Sequence, residues 1–430
     1  MRLAFFYPQF KKLTGAERLI LKLAGYTARR LKGPGDAGEP VVLLTHRFAA
    51  ECRPALAPGV RLVETGWPLQ LTGNHYLDAA VEYAMGPLLA LKLPHGLSGI
   101  LFFGPPSVPA MWFARHVLLP LRRTRPPLLY FCFEPPRFIY SDTVDIVRRL
   151  GRLGKVLHPL MQAYRLLDKA MTASAARVLS NSPYGSRRIM AAYGRRSTII
   201  EHGVDFASPL PEAVQGLRER YSLQGRRVAV TVNHLHPRKR IDLFLRAVHV
   251  AAQELPGTTA LVVGGGPELV SLRALASELG MREGREVIFT GAVTDGELPA
   301  HYALGTVYVH TGREESFGLS VIEALSLGLP VVSVAEGGPC DTVQHGVSGY
   351  LVPAEPQTLG AAIARLLADT SLAEEMGRAG AGFVYSHFSW EAGANTLLRV
   401  LSEEKSRRLT IATRATRAMG TGQQQVKRPR

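Results

Sequence analysis

The chain of 430 residues exceeds the size at which one hydrophobic core stops growing, so two or more domains are expected. Its composition, 46% apolar and 20% charged, excludes a fibre or wholesale disorder, and Cys52, Cys132 and Cys340 are too few for a disulfide framework and too dispersed for a zinc motif. A formal charge of +16 implies attraction to polyanions, anionic membranes or phosphorylated small molecules without choosing among them.

In chain order, RLAFFY reads as a first strand and GAERLILKLAGYTARRL as a helix. PVVLLTHR, SGILFFG and PPLLYFCF read as further strands, and after a basic helical region AARVLSNS and STIIEHGVD complete the series. The opening MRLAFFYPQFKKLTG has only a brief apolar run before Pro8 and Lys11, a poor fit to a secretory signal. The uncharged stretch 93–114 is the best membrane candidate. Its Pro94, Pro105, Pro106 and Pro109 would leave backbone groups that hydrocarbon cannot satisfy, so it is expected as a buried strand with apolar surface loops, with a membrane-dipping segment as the alternative.

A second series starts near residue 226. Strands RRVAVTVNHL, TTALVVGGGP, EVIFTG, TVYVHT and LPVVSVA alternate with helices RIDLFLRAVHVAAQEL, ELVSLRALASELG, ELPAHYALG and GLSVIEALSLG. The segment 203–225 interrupts periodicity between the two series. The chain therefore divides into two doubly wound α/β domains, residues 1–205 and 206–385, a terminal helix over 386–404 returning to the N-terminal domain, and a basic tail over 405–430. From Lys405 onward there are eight Lys or Arg and no Asp or Glu, so the tail is expected to be mobile.

Open α/β sheets bind ligands beyond the carboxyl ends of their strands, and three constellations fall there. The turn Gly264, Gly265, Gly266 presents amides to a ligand at close approach. His234, Arg238, Lys239 and Arg240 lie between a strand and a helix, where cations meet phosphate. In GREESFGLSVIEALSLG, Gly318 and the first helical amides, that of Leu319 included, suit a diphosphate, while Glu315 and Glu323 are acceptors for adjacent hydroxyls.

The residues ESFGLSVIE, EALSLGLPVVSVAEGG, Phe289, Gly291 and Val293, and Gly346, Gly349, Leu351 and Val352 together resemble the retaining glycosyltransferases of family 4, with the GT-B fold of two Rossmann-like domains facing a central cleft. The resemblance runs from the first strand to FSW at 388–390. It implies transfer of a hexose, mannose first, from a GDP- or UDP-linked sugar to a glycan or polyprenyl-linked glycan acceptor, without metal or cofactor; no DxD spacing occurs. Glu323 would hold ribose hydroxyls, Glu315 the transferred sugar, and Ser316, Phe317, Gly318 and Leu319 the turn whose backbone receives sugar and phosphate groups. Lys239 would neutralise the diphosphate; the family's arginine falls on His234, with Arg238 and Arg240 nearby as compensating cations. Gly15 would lie at the phosphate, Gly265 at the glycine turn and Val293 at the base.

Two further positions depart from the family pattern. Thr14 replaces the first glycine of GGxE, and Phe133 replaces the histidine of HEPPR, leaving Glu134 and Arg137. Phe133 cannot donate a hydrogen bond. These substitutions support an alternative, a catalytically weakened nucleotide-sugar-binding subunit or scaffold. The few, dispersed cysteines point to a reducing compartment, so cytoplasmic residence is expected, and basic stretches at 115–125 and 148–158, interleaved with leucine, suggest peripheral attachment to an anionic membrane on its inner face. No nucleic-acid-recognition module is evident, so nucleic acid is not expected as a partner.

Overall fold

The computed structural model describes residues 1–33, 38–67, 75–205 and 208–422. They form two compact units: Met1–Asn181, Gly185–His202 and Trp390–Arg430 in the first, Ser182–Tyr184 and Gly203–Ser389 in the second.

The first unit carries β1 (Leu3–Phe6), β2 (Gln9–Phe10), β3 (Val41–Thr45), β4 (Arg47–Phe48), β5 (Val60–Glu64), β6 (Gly99–Phe103), β7 (Leu128–Phe131), β8 (Arg177–Ser180) and β9 (Ser197–Ile199). Seven of them pair in the order β5-β3-β1-β6-β7-β8-β9, and every ladder is parallel. A parallel sheet covered on both faces needs continuous apolar strands, and LAFF, VVLLT, GILFF and LLYF are fully buried. Alternation then sends Phe5, Phe103 and Phe131 to one core and Phe6, Phe102 and Tyr130 to the other. The short strands β2 and β4 form a separate ladder.

The helix Gly15–Leu31 packs with the helix Trp390–Gly422, where Trp390 lies against Tyr26 and His202. The terminal helix approaches the sheet closely at Gly99, where an added Cβ would come within 2.4 Å of a Leu401 methyl and require that side chain to shift. That helix runs past Lys405, the expected start of the mobile tail, to Gly422; residues 423–430 of that tail lie outside the described residues.

Within stretch 93–114, β6 is fully buried, and its apolar continuation is a helix, Val108–Phe113, rather than surface loop, with Val108, Ala110 and Met111 buried. Among the described residues no helix is long and apolar enough to cross a membrane. The strand Val60–Glu64 was not anticipated; its VRLVE pattern has only one buried residue, as suits an edge.

The second unit holds β10 (Arg227–Val232), β11 (Thr258–Val263), β12 (Val287–Gly291), β13 (Val307–His310), β14 (Val331–Val334) and β15 (Gly349–Val352), all parallel in the order β12-β11-β10-β13-β14-β15. Chain progression reverses between β10 and β13. The interrupting segment 203–225 contains the helix Pro211–Arg220. The helices Pro356–Ala368 and Thr370–His387, unread from sequence, complete the unit.

Candidate active site

Side chains from the loops after β10 and β13 meet at the point where strand order reverses, the place open α/β sheets reserve for ligands. The two loops are tied together. Thr311 Oγ1 donates to the Lys239 carbonyl at 2.8 Å, Arg240 Nε to the Thr311 carbonyl at 2.7 Å, and the Arg313 amide to the Arg238 carbonyl at 2.8 Å. Arg240 takes a left-handed backbone (φ 47°) and forks onto Glu336 at 3.2 and 2.9 Å. Its guanidinium therefore braces the loop and is not free to meet phosphate, the role its position in the sequence suggests. His234 and Arg238 stand exposed on the same loop.

Lys239 and Glu315, read from sequence as separate contacts, are paired with each other: the ammonium donates to Glu315 Oε1. Their side chains are 29% and 14% exposed, so the pair is partly shielded from water. Gly312 makes this possible, because a Cβ there would meet Glu315 Oε1 at 2.4 Å. Fully buried His310, at the end of β13, lies 3.9 Å from Glu315. Burial would raise the Glu315 pKa, but His310, Lys239 (which also hydrogen-bonds) and Arg238 outweigh it and hold the carboxyl down to about 2. Burial pushes the His310 imidazole down to about 4, against the opposing pull of Glu315. At neutral pH that ring is uncharged, so Lys239 and Arg238 are what hold the carboxylate ionised.

Behind this pair the chain turns at Gly318 (φ 82°) into the helix Leu319–Ser326. The first amides of a helix lack intrahelical acceptors and sit at its positive end. Gly337 and Gly338 back the turn: Cβ atoms there would lie 2.6 Å from the Glu315 carbonyl oxygen and 2.6 Å from Phe317 Cα, and the Gly338 amide donates to the Glu315 carbonyl at 2.6 Å. Phe317 is buried edge-on against Phe388 at 5.8 Å, which anchors Ser316 and Leu319 on either side. Glu323 is not the exposed helix residue its pattern alone would suggest. It is buried, and Tyr302 donates to its Oε2 at 2.8 Å.

The glycine turn divides by role. Cβ atoms at Gly264 and Gly266 would meet the Asn233 and Leu235 carbonyl oxygens at 2.0 and 2.4 Å, so these two are demanded by packing. Gly265 has room, with Ala292 N at 3.6 Å from an added Cβ. Val293, one residue on, is half-buried against the second unit's core.

Gly15 belongs to the first unit, at the start of its helix and exposed. Beside it, Thr14 donates to the buried Glu17, which also accepts from Tyr7 at 3.1 Å. Phe133 is half-buried against Phe131 and Phe103, with ring centroids 5.1 and 6.3 Å apart, while Arg137 pairs with Glu134 at 2.6 Å. His310, Tyr302, Glu336 and Gly312 escaped the sequence analysis. A polar residue ending an apolar strand, as in TVYVHT, was the signal for His310; nothing local marked Tyr302.

The family profile of the glycosyl transferases group 1 matches residues 217–383. The chain is 36% identical over 285 residues to a GDP-mannose-dependent alpha-(1-6)-phosphatidylinositol monomannoside mannosyltransferase of Mycolicibacterium smegmatis, covering 61% of this chain and 74% of the relative. This chain belongs to the glycosyl transferases of group 1. The glycosyltransferase is also 33% identical over 292 residues to a D-inositol 3-phosphate glycosyltransferase of Acidothermus cellulolyticus, covering 63% of the chain and 64% of that relative. Its fold is that of the Anabaena protein HepE in complex with UDP and glucose (TM-score 0.70, 20% identity, 94% of this chain and 99% of that one). It likewise matches sucrose-phosphate synthase from Thermosynechococcus elongatus (TM-score 0.69, 21% identity, 96% and 99%). The glycosyltransferase is thus a nucleotide-sugar-dependent hexosyltransferase with two Rossmann-like domains of the GT-B class.

Proposed function

We propose that the enzyme moves mannose from GDP-mannose to a hydroxyl of a glycan or polyprenyl-linked glycan, with retention at the anomeric carbon and without a metal ion. The observation that carries this reading is the Lys239–Glu315 pair set before the amino end of the helix Leu319–Ser326. Lys239, Arg238, His234 and the amides of Gly318 and Leu319 take up charge on the departing diphosphate, where stabilisation of developing charge lowers the barrier most. Glu323, held by Tyr302, accepts from the ribose hydroxyls, and Glu315 accepts from the sugar. The bond between the anomeric carbon and the diphosphate oxygen breaks as the acceptor oxygen bonds from the same face, and the acceptor proton leaves with the released GDP. Guanosine and mannose are favoured over UDP-linked sugars by the likeness to the GDP-mannose-dependent Mycolicibacterium relative.

Attachment to an anionic membrane is part of this reading. In the helix Thr143–Thr172, exposed Val156, Leu160 and Leu166 accompany exposed Arg148, Arg152 and Lys155.

Release of GDP and UDP from a panel of nucleotide sugars tests the proposal, with and without a membrane-lipid extract and with Glu323→Ala as control. Lipid-stimulated release of GDP from GDP-mannose alone, lost in the variant, supports it; release from a UDP-sugar alone refutes the donor assignment. Phe133, an aromatic ring where the resemblance expects histidine, favours a second reading, a weakened donor-binding subunit. Donor binding without release, restored to turnover by Phe133→His, would establish that reading.

A further inference from the structure

A cavity of about 1010 Å³ opens in the first unit, at the amino ends of its central strands. Ser98 in its wall directly precedes β6, Pro126 and Pro127 precede β7, and Ala176 precedes β8. Doubly wound sheets hold their substrates at the opposite, carboxyl edge, so this cavity stands apart from Gly15 and the chemistry assigned to it.

Its charge is one-sided. Arg115, Arg122, Arg125, Lys405, Arg407 and Arg408 line it, and the one acidic residue in the wall among the described residues, buried Glu404, is engaged by Arg177 at 2.6 Å with Arg407 at 3.8 Å. No Asp or Glu comes after Glu404 in the sequence. Arg122 is spent on the carbonyls of Leu93 and Leu91 at 2.5 and 2.9 Å, and Arg408 places one N–H on the Arg125 carbonyl at 2.6 Å. Among the described residues no carboxylate pairs with Arg115, Arg125, Lys405 or Arg408. Burial lowers the Arg408 pKa, with Arg115 and Arg125 adding to the shift and Glu404 opposing it. Leucines 97 and 119 and the two prolines give the cavity an apolar wall beside these cations.

Part of the basic stretch 115–125 therefore lines a concavity, where its guanidinium groups converge on one space. Guanidinium forks match phosphate oxygens, and a bound anion would relieve their mutual repulsion. We propose that this cavity is a binding site for a phosphate-bearing anion, either the headgroup of an acidic phospholipid or a free phosphorylated compound. Occupancy would also fasten the terminal helix, through Arg408, to the edge of the first sheet.

The test uses the full chain and pyrophosphate, titrated calorimetrically at constant ionic strength. Arg115→Gln/Arg125→Gln is expected to bind one pyrophosphate fewer per chain over the range that saturates the wild type, a loss of roughly tenfold or more at this site. Counting sites keeps the result independent of any pyrophosphate taken up near Lys239. Arg30→Gln/Arg196→Gln, which removes the same charge from exposed positions elsewhere in the unit, should bind as the wild type does. Arg115→Lys/Arg125→Lys, which keeps the charge, should retain the site. Sedimentation with phosphatidylcholine vesicles, with and without phosphatidic acid, separates the sources. Loss of acidic-vesicle binding only in the Arg115/Arg125 glutamine variant assigns a lipid headgroup, and unchanged vesicle binding beside the lost pyrophosphate assigns a free compound. Unaltered pyrophosphate stoichiometry in that variant, or an equal loss in the Arg30/Arg196 variant, overturns the proposal.

Discussion

Replacing Lys239 with methionine should destabilise the second unit in a way that depends on pH. The Glu315 carboxyl is held down to about 2 from an ordinary value of 4.5. At about 1.36 kcal/mol per pH unit, that difference caps the stability gained at roughly 3 kcal/mol, and at neutral pH only the share supplied by Lys239 and Arg238 is present, because His310, the largest of the lowering causes, is then uncharged. Because the folded value is the depressed one, the contribution is complete above 4.5 and is lost as pH falls from 4.5 towards 2. Uncharged His310 contributes little of it at pH 7, so removing Lys239 leaves a shielded carboxylate facing Arg238 alone among its stabilising cations. The expected deficit is about 1–2 kcal/mol at neutral pH, below the ~3–5 kcal/mol cost of breaking a fully buried pair because this one is partly exposed. Urea denaturation monitored by circular dichroism at pH 7, 5 and 3 measures it, with the unfolding of each unit fitted separately. The deficit should shrink by about half or more at pH 3, where the unfolded chain already carries a protonated Glu315. A deficit below about 0.5 kcal/mol, or one that does not change with pH, would refute this reasoning and mark the pair as solvated.

His310 adds a second pH dependence: its folded value of about 4 lies below the ordinary 6.5, so the unfolded chain binds the extra proton and stability falls as pH drops through that window. Thermal melts of His310→Asn at pH 7 and 4.5 should show a smaller acid loss than the wild type, and an equal loss would contradict the assignment. Tyr302→Phe removes a 2.8 Å donor from buried Glu323 and should lower stability by about 1–2 kcal/mol and raise the KM for donor several-fold with kcat little changed. Steady-state titration of the nucleotide sugar reads this directly. Gly337→Ala combines a φ of 74° with a Cβ 2.6 Å from the Glu315 carbonyl oxygen, so its melting temperature should fall by the equivalent of about 2 kcal/mol or more; an unchanged melt would mean the turn relaxes freely.

Much of this molecule is written locally. Continuous apolar runs such as VVLLT and GILFF can be satisfied only in a sheet buried on both faces, and alternation with helical segments dictates a parallel, doubly wound unit. The glycine at 318, the helix after it and the carboxylates at 315 and 323 were equally legible, because a turn, a helix start and an acceptor each depend on a few adjacent residues. Packing demands that cross the chain were not. That Lys239 meets Glu315, that Arg240 is consumed by Glu336 rather than left for phosphate, and that Tyr302 supports Glu323 all depend on partners 76, 96 and 21 residues away. The basic stretch 115–125 looked like a membrane face in one dimension. Three of its arginines gather around a cavity because β6, β7 and the terminal helix bring their amino-end loops and Arg408 to the same place. Sequence determined which residue types stand at strand ends and turns; only the tertiary structure decided which charges face one another, since burial and distance set that outcome and neither is a property of neighbouring residues in the chain.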